Sequence, residues 1–109
     1  MITVERKKDG ISIKGHANYA PIGQDIVCSA VSVLVQTLIQ SVEELTADKI
    51  EYDMQPGTDE LQSGRADIKF WCLSDQSKVL IDAFFIGVES IANTYPENVS
   101  ITERTVEQC

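Results

Sequence analysis

The chain has 109 residues, of which 43% are hydrophobic and 24% charged, and its formal net charge is -8. This size allows a single domain, residues 1 to 109, with enough apolar content for a core, so disorder of the whole chain is excluded. The acidic balance argues against a nucleic-acid partner and favours a basic protein or peptide. The N-terminus has no secretory or transit pattern, and Asp82 breaks the apolar stretch from Val79 to Val88. We therefore expect a cytoplasmic protein without a membrane span.

The first half of the chain predicts two strands and a long helix. The runs Ile2 to Lys7 and Ile11 to Lys14 alternate apolar and polar residues, and Asp9-Gly10 between them predicts a two-residue hairpin turn. From Asp25 to Leu45 apolar residues recur at helical spacing, with Asp25 as the N-cap. The apolar arc is wider in the first half of this helix than one sheet-facing stripe requires. We expect a second buried surface there, against a neighbouring helix or another subunit.

The second half predicts two strands, a helix and a last strand. The strands extend from Lys49 to Met54 and from Arg65 to Leu73. Ser74 or Asp75 caps the next helix, and the final strand extends from Val99 to Val106. The order β-β-α-β-β-α-β predicts an α+β fold, a two-layer sandwich in which two helices cover one face of a mainly antiparallel sheet.

The three cysteines are Cys28, Cys72 and Cys109. Their odd number and wide spacing fit neither a disulfide framework nor paired zinc ligands, so we expect reduced thiols and no metal. Cys72 falls on the apolar side of its predicted strand and is interpreted as a core residue.

His16 and Cys28 are the one pair of residues suited to nucleophilic catalysis. A cysteine protease needs a thiolate, an imidazole that protonates the leaving amine, and hydrogen-bond donors for the oxyanion. Cys28 falls in the first turn of the predicted helix, near the edge of its apolar arc. The helix dipole there favours the thiolate, so we expect a lowered pKa and partial exposure. Backbone N–H groups at the helix start, including that of Cys28, are the expected oxyanion donors.

Each of these residues also has a purely structural interpretation. A lone cysteine in an apolar helix commonly behaves as a small buried hydrophobe, and a loop histidine commonly makes structural hydrogen bonds. Asp25 serves as a helix cap whether or not it orients a catalytic group. Gly15 and Gly23 fit turn geometry, and Ser32 fits a hydrogen bond within its own helix.

The segments Gly15-His16-Ala17 and Asp25-Ile26-Val27-Cys28, at this separation, resemble the ribosomal-processing cysteine proteases called Prp. The likeness extends over essentially the whole chain. It implies that Cys28 is the nucleophile and His16 the base. It also implies a small α+β sandwich that forms homodimers and needs no cofactor.

The resemblance assigns supporting roles as well. Gly15, Asp25 and Ser32 match positions that support activity in the family, with Gly15 as a hinge. The family's flexible segment, which closes over bound substrate, corresponds here to Ala17, Asn18, Tyr19, Ala20, Pro21, Ile22 and Gly23.

The family resemblance implies a specific reaction and partner. The family removes the N-terminal extension of large-subunit ribosomal protein twenty-seven and so supports ribosome assembly. We therefore expect a cysteine endopeptidase with a protein substrate and no direct nucleic-acid or membrane partner. Similar proteases process phage structural proteins, which leaves a phage-related substrate open.

The alternative function is a non-catalytic acidic dimeric module that binds a basic ribosomal or phage structural protein. A thiol redox enzyme or transferase is disfavoured because the chain has no C-x-x-C pair.

Overall fold

The computed structural model describes residues 1–15, 25–55 and 64–103. Its elements, in chain order, are β1 (Ile2–Lys7), β2 (Gly10–Lys14), α1 (Ile26–Leu45), β3 (Ile50–Gln55), β4 (Arg65–Phe70), α2 (Asp75–Thr94) and β5 (Val99–Glu103). The strands form one sheet in the order β3-β4-β2-β1-β5. Only the pairing of β1 with β5 is parallel, and the other three pairings are antiparallel. The predicted α+β fold is confirmed.

The core lies between the two helices and one face of the sheet. Residues directly opposite each other on paired strands share a face. Val4 and Ile13 form such a buried pair on the helix side, where both helices bury one face each. The other face of the sheet is polar. Ser12 Oγ donates there to Asp67 Oδ1 at 2.9 Å, and Arg65 lies 2.6 Å from the second carboxylate oxygen. Hydrogen bonds from Arg65, which has the larger effect, and from Ser12 hold the pKa of Asp67 below its usual range.

The first hairpin has its turn one residue earlier than predicted. Lys7 pairs with Gly10, so Lys8 and Asp9 form the turn and Gly10 begins β2. A Cβ on Gly10 would lie 2.5 Å from the carbonyl oxygen of Ile68 on β4. The glycine is therefore needed for close approach of two strands and not for the turn itself.

The prediction that Cys72 lies in the core is wrong. β4 ends at Phe70, and Cys72 is exposed in the bend that follows. Neither neighbouring strand continues past this point, because Phe70 pairs with Ile50 at the start of β3 and its N–H donates to Asp9 in the hairpin turn. The alternation of apolar and polar residues continues to Cys72, but β4 ends at Phe70, where its neighbouring strands offer no further partner.

The other boundaries lie close to the predicted ones. β3 extends from Ile50 to Gln55, one residue later than expected. Ser74 caps α2, and its side chain accepts a hydrogen bond from the N–H of Ser77. β5 is described as far as Glu103, and the remainder of the predicted last strand lies outside the described residues.

Helix α1 uses its wide apolar arc in two ways. Leu34 packs beside Gly87 of α2, which accounts for a second buried surface against a neighbouring helix. Ile26 and Val33, on the outer side, stay exposed. Among the described residues, α1 is long and apolar enough to cross a membrane, a test that the helix containing Val79 to Val88 does not meet. In this fold α1 buries six side chains in the core, as core helices with such composition do.

A cluster of hydrogen-bonded polar side chains connects the end of α1 to the start of α2. One carboxylate oxygen of Asp48 accepts hydrogen bonds from the N–H and hydroxyl of Ser74, at 2.9 and 2.6 Å, and from the hydroxyl of Ser77. Ser77 is completely buried, and its hydroxyl also lies 3.3 Å from Thr46 Oγ1. These serine hydrogen bonds hold the pKa of Asp48 below its usual value.

The Asp48 cluster predicts an acid-sensitive contribution to stability. Because the folded-state pKa of Asp48 lies below the unfolded one, the contribution is present above about pH 4 and lost as the pH falls through the folded-state pKa. We expect Asp48→Asn to lower the free energy of unfolding at pH 7, and the gap to wild type to narrow as the pH falls below about 4. Urea titrations at several pH values measure this gap. Glu97→Gln, in the exposed turn before β5, is the control and should show no such trend.

Candidate active site

Cys28 lies in the first turn of α1, directly after the N-cap. Asp25 has extended backbone dihedrals, and its Oδ1 accepts hydrogen bonds from the N–H groups of Val27 and Cys28 at 2.9 and 3.0 Å. Such caps satisfy N–H groups that have no partner inside the helix. Cys28 is half-buried against the core, as expected for the edge of the apolar arc, and Asp25 is only 6% exposed.

The expectation that the Cys28 N–H serves as an oxyanion donor conflicts with this geometry. That N–H already donates to Asp25, as does the N–H of Val27. The next N–H, of Ser29, donates to the backbone carbonyl of Asp25 as the first bond of the helix. An oxyanion could use these donors only by displacing the cap, because the negatively charged carboxylate already occupies them.

Gly15 and the start of α1 lie at the same end of the sheet. The C-terminal end of α1 lies near Ile50 and Ser74, beside the end of β4. Hydrogen bonds from the segment after α1 to the start of α2 hold it there. A helix of 20 residues is about 30 Å long, so its other end reaches the opposite end of the strands. Gly15 directly follows β2 there, and its N–H donates to the carbonyl of Gly64 just before β4.

The predicted site residues are thus only partly placed. Asp25 and Cys28 are joined by a hydrogen bond, and Ser32 follows Cys28 by one turn on the same side of α1, exposed. His16 and the predicted substrate segment, residues 17–23, lie outside the described residues. Their roles, and the pairing of His16 with Cys28, therefore stay predictions.

Two exposed side chains that the sequence analysis did not single out lie beside this end of the fold. Tyr52 and Met54 are on the helix-facing side of β3, opposite the buried Ile68 and Ala66 of β4. The alternation of Ile50, Tyr52 and Met54 with charged residues was the available signal. Such a pattern indicates the two faces of a strand but not that α1 leaves Tyr52 and Met54 exposed.

No set of three or more histidine, cysteine, aspartate or glutamate side chains could hold a metal ion within residues 1–15, 25–55 and 64–103. The expectation that catalysis needs no metal remains a prediction.

Asp25 offers a test that separates capping from catalysis. We expect Asp25→Ala to lower the free energy of unfolding by about 1 kcal/mol, because two N–H groups lose their acceptor. Asp25→Asn keeps an oxygen acceptor and should stay within about 0.5 kcal/mol of wild type. Chemical denaturation measures both values. If the asparagine variant is as stable as wild type but has lost its kcat, the carboxylate acts in catalysis as well as in the cap.

Comparison with known proteins gives the same fold and a family. A crystal structure of the Staphylococcus aureus ribosomal processing protease Prp with a covalently linked product peptide superposes with a TM-score of 0.84 at 20% identity, covering 95% of this chain and 100% of the other. A Streptococcus mutans crystal structure has a TM-score of 0.76 at 28% identity, covering 96% and 93%.

Curated relatives carry a consistent name. The Mycoplasma genitalium "Ribosomal processing cysteine protease Prp" is 28% identical over 107 residues, which is 98% of this chain and all of the relative. The Staphylococcus aureus protein of that name is 25% identical over 109 residues, covering 93% of this chain and 97% of its own length. The family model described as cysteine protease Prp matches residues 1–100. The chain therefore belongs to the Prp family of cysteine proteases.

Proposed function

We propose that this protein is a cysteine endopeptidase in which Cys28 is the nucleophile and His16 the base. The observation that carries the proposal is the position of Cys28, half-buried in the capped first turn of α1, in a chain of a cysteine protease family. A thiol at a helix N-terminus lies in the positive end of the helix dipole, which favours its thiolate.

The proposed reaction proceeds in two steps. His16 takes the proton of the Cys28 thiol, Sγ attacks the scissile carbonyl carbon, and the C–N bond breaks as His16 gives that proton to the leaving amine. The acyl group is then held as a thioester on Cys28. His16 next takes a proton from water, whose oxygen attacks the thioester. The C–S bond breaks, the acid product leaves, and His16 returns the proton to Cys28 Sγ.

The proposed substrate is the N-terminal extension of large-subunit ribosomal protein twenty-seven. Two curated relatives are named as ribosomal processing proteases, and one crystal structure of such a relative contains a substrate peptide. The charge of -8 on this chain favours encounter with a basic ribosomal protein.

A cytoplasmic homodimer is part of the same proposal. Ile26 and Val33 of α1 are 57% and 60% exposed, and no charged residue lies between Ile26 and Ser41 in the sequence. Exposed apolar side chains on an uncharged helix face suit burial against a second copy. Sedimentation of the wild type beside Val33→Glu tests this, and two monomeric species would contradict it.

The test of the function is mass spectrometry of the ribosomal protein twenty-seven precursor after incubation with the purified chain. We expect one N-terminal cut that is absent with Cys28→Ala. Binding of the precursor without any cut would favour the non-catalytic module. Cleavage of a phage structural protein but not of this precursor would keep the endopeptidase and replace the substrate.

A further inference from the structure

Strand β3 is an edge strand with an uncovered apolar side. It pairs with β4 alone, so its other edge has no strand partner among the described strands. Tyr52 and Met54 point to the helix side because they lie opposite Ile68 and Ala66, which are buried there. Yet Tyr52 is 48% and Met54 40% exposed. The helix layer therefore covers β4 but leaves this part of β3 open.

The nucleophile lies on the side of α1 that faces this open strip. α1 lies between α2, which contacts β5, and β3, which α1 itself contacts. Leu34 marks the side of α1 toward α2, because it packs beside Gly87. At about 100° per residue, Cys28 lies roughly 120° around the helix from Leu34, across the buried stripe, and Ser32 roughly 160°. Cys28 and Ser32 therefore face away from α2, toward β3.

We call the surface between α1 and the outer edge of β3 the groove, with Tyr52 and Met54 as its floor and Cys28 and Ser32 as its wall. Both wall residues lie in the half of α1 that is nearer the end of the sheet where β3 finishes. An unpaired strand edge beside a groove is the arrangement to which extended peptides add as a further strand.

We propose that the substrate binds as an extended strand along the outer edge of β3, with its side chains on one face in this groove and its scissile bond at Cys28. The inference rests on the proposed endopeptidase function and specifies how that site holds its peptide. Hydrogen bonds from the main chain of β3 fix the peptide's direction, and Tyr52 and Met54 contact every second side chain.

The charges on the two sides of β3 give the expected substrate pattern. The groove side carries no charged residue on β3, whereas Glu51 and Asp53 alternate with it on the polar side. Lys69 lies opposite Glu51 and Arg65 is bound to Asp67, whereas Asp53 lies opposite Asp67. The excess negative charge on this side is therefore centred on Asp53. An extended peptide with apolar side chains at alternate positions and a basic residue between them is complementary to both sides.

The first experiment compares kinetics of two matched double variants. The substrate is a peptide spanning the junction between the extension and the mature N-terminus of ribosomal protein twenty-seven. We expect Tyr52→Ser with Met54→Ser to raise KM about tenfold or more, with kcat within about threefold of wild type. Trp71→Ser with Val79→Ser removes two exposed apolar side chains at the opposite end of the sheet, and its KM should match wild type.

The second experiment tests the strand pairing itself. Fluorescence anisotropy of the labelled peptide with Cys28→Ala measures binding without cleavage. In a strand, N–H groups alternate between the two edges, so only one edge can donate to β3. We expect N-methylation of one alternate set of amides to weaken binding about tenfold or more, and methylation of the other set to leave it unchanged.

The outcomes separate this inference from the function. If wild type cleaves the peptide through Cys28, but the Tyr52/Met54 variant keeps a wild-type KM or both methylated peptides bind alike, strand addition at β3 is refuted and the endopeptidase stands. If the groove variant changes only the oligomeric state, the groove is a dimer contact and the inference is refuted. Groove-dependent binding without cleavage by wild type would refute the endopeptidase alone. Neither binding nor cleavage, both of this peptide and of a phage structural protein, would refute both.

Discussion

Replacing Cys28 with alanine is expected to lower kcat/KM for the precursor peptide by at least about 10³-fold, because no thiol remains to form the acyl intermediate. The fold should persist, since Cys28 is only half-buried and its removal leaves the backbone hydrogen bond to Asp25 in place. Steady-state kinetics measure the loss, and circular dichroism with urea titration checks the fold. His16→Ala should give a loss of similar size, because it removes the proposed base.

Cys72 provides the control for this prediction. It is exposed at the opposite end of the sheet from Cys28, so Cys72→Ala should keep full activity. Alkylation with iodoacetamide, followed residue by residue, gives an independent readout in which Cys28 should react fastest. Full activity in both the Cys28→Ala and His16→Ala variants would remove the proposed mechanism.

Gly15→Ala is expected to lower the free energy of unfolding by about 1–3 kcal/mol and to reduce peptidase activity with it. Gly15 has a φ of +100°, a conformation that side chains disfavour. A Cβ there would also lie 2.3 Å from the carbonyl oxygen of Met1, so the start of β1 must shift. His16 follows directly in the sequence, so a shift of Gly15 moves the point from which the chain continues to His16.

Gly87→Ala is the matched comparison for Gly15→Ala. Its Cβ would meet only the ends of the flexible Leu34 side chain, at 3.0 and 3.1 Å, and a helical position gains from alanine's propensity. We expect its stability to stay within about 1 kcal/mol of wild type. Urea titrations of both variants measure the contrast, and equal stabilities would contradict the special role of Gly15.

Local patterns in the sequence predicted the elements of this fold well. Asp25 as N-cap and the end of α1 at Leu45 depend on helical spacing and cap chemistry within a few residues. The exposed Cys72 was missed because the end of β4 is set by where β2 and β3 begin, which is information from distant parts of the chain. The hairpin turn was misplaced by one residue because Gly10 serves the approach of β4.

The residues of the candidate site could be predicted from the sequence, but their contacts could not. Cys28 and His16 came from a motif, which carries residue types and spacing but no contacts. That the Cys28 N–H already belongs to the Asp25 cap depends on one side-chain conformation, which no spacing reports. The open strip at Tyr52 and Met54 depends on sheet order and on how α1 crosses the strands, both of which arise only when the whole chain is assembled.

The parallel pairing of β1 with β5 has a consequence for when this protein can first become active. Ile2 lies opposite Val99, and the Ile2 N–H donates to the carbonyl of Asn98 at 2.8 Å, so the first strand is completed by the last. Synthesis supplies the N-terminal residues first, and contacts this far apart close late. The strand that positions Met1 against Gly15 therefore lacks its outer neighbour until nearly the whole chain has left the ribosome. A nascent fragment carrying both proposed catalytic residues, His16 and Cys28, would still lack this part of the sheet.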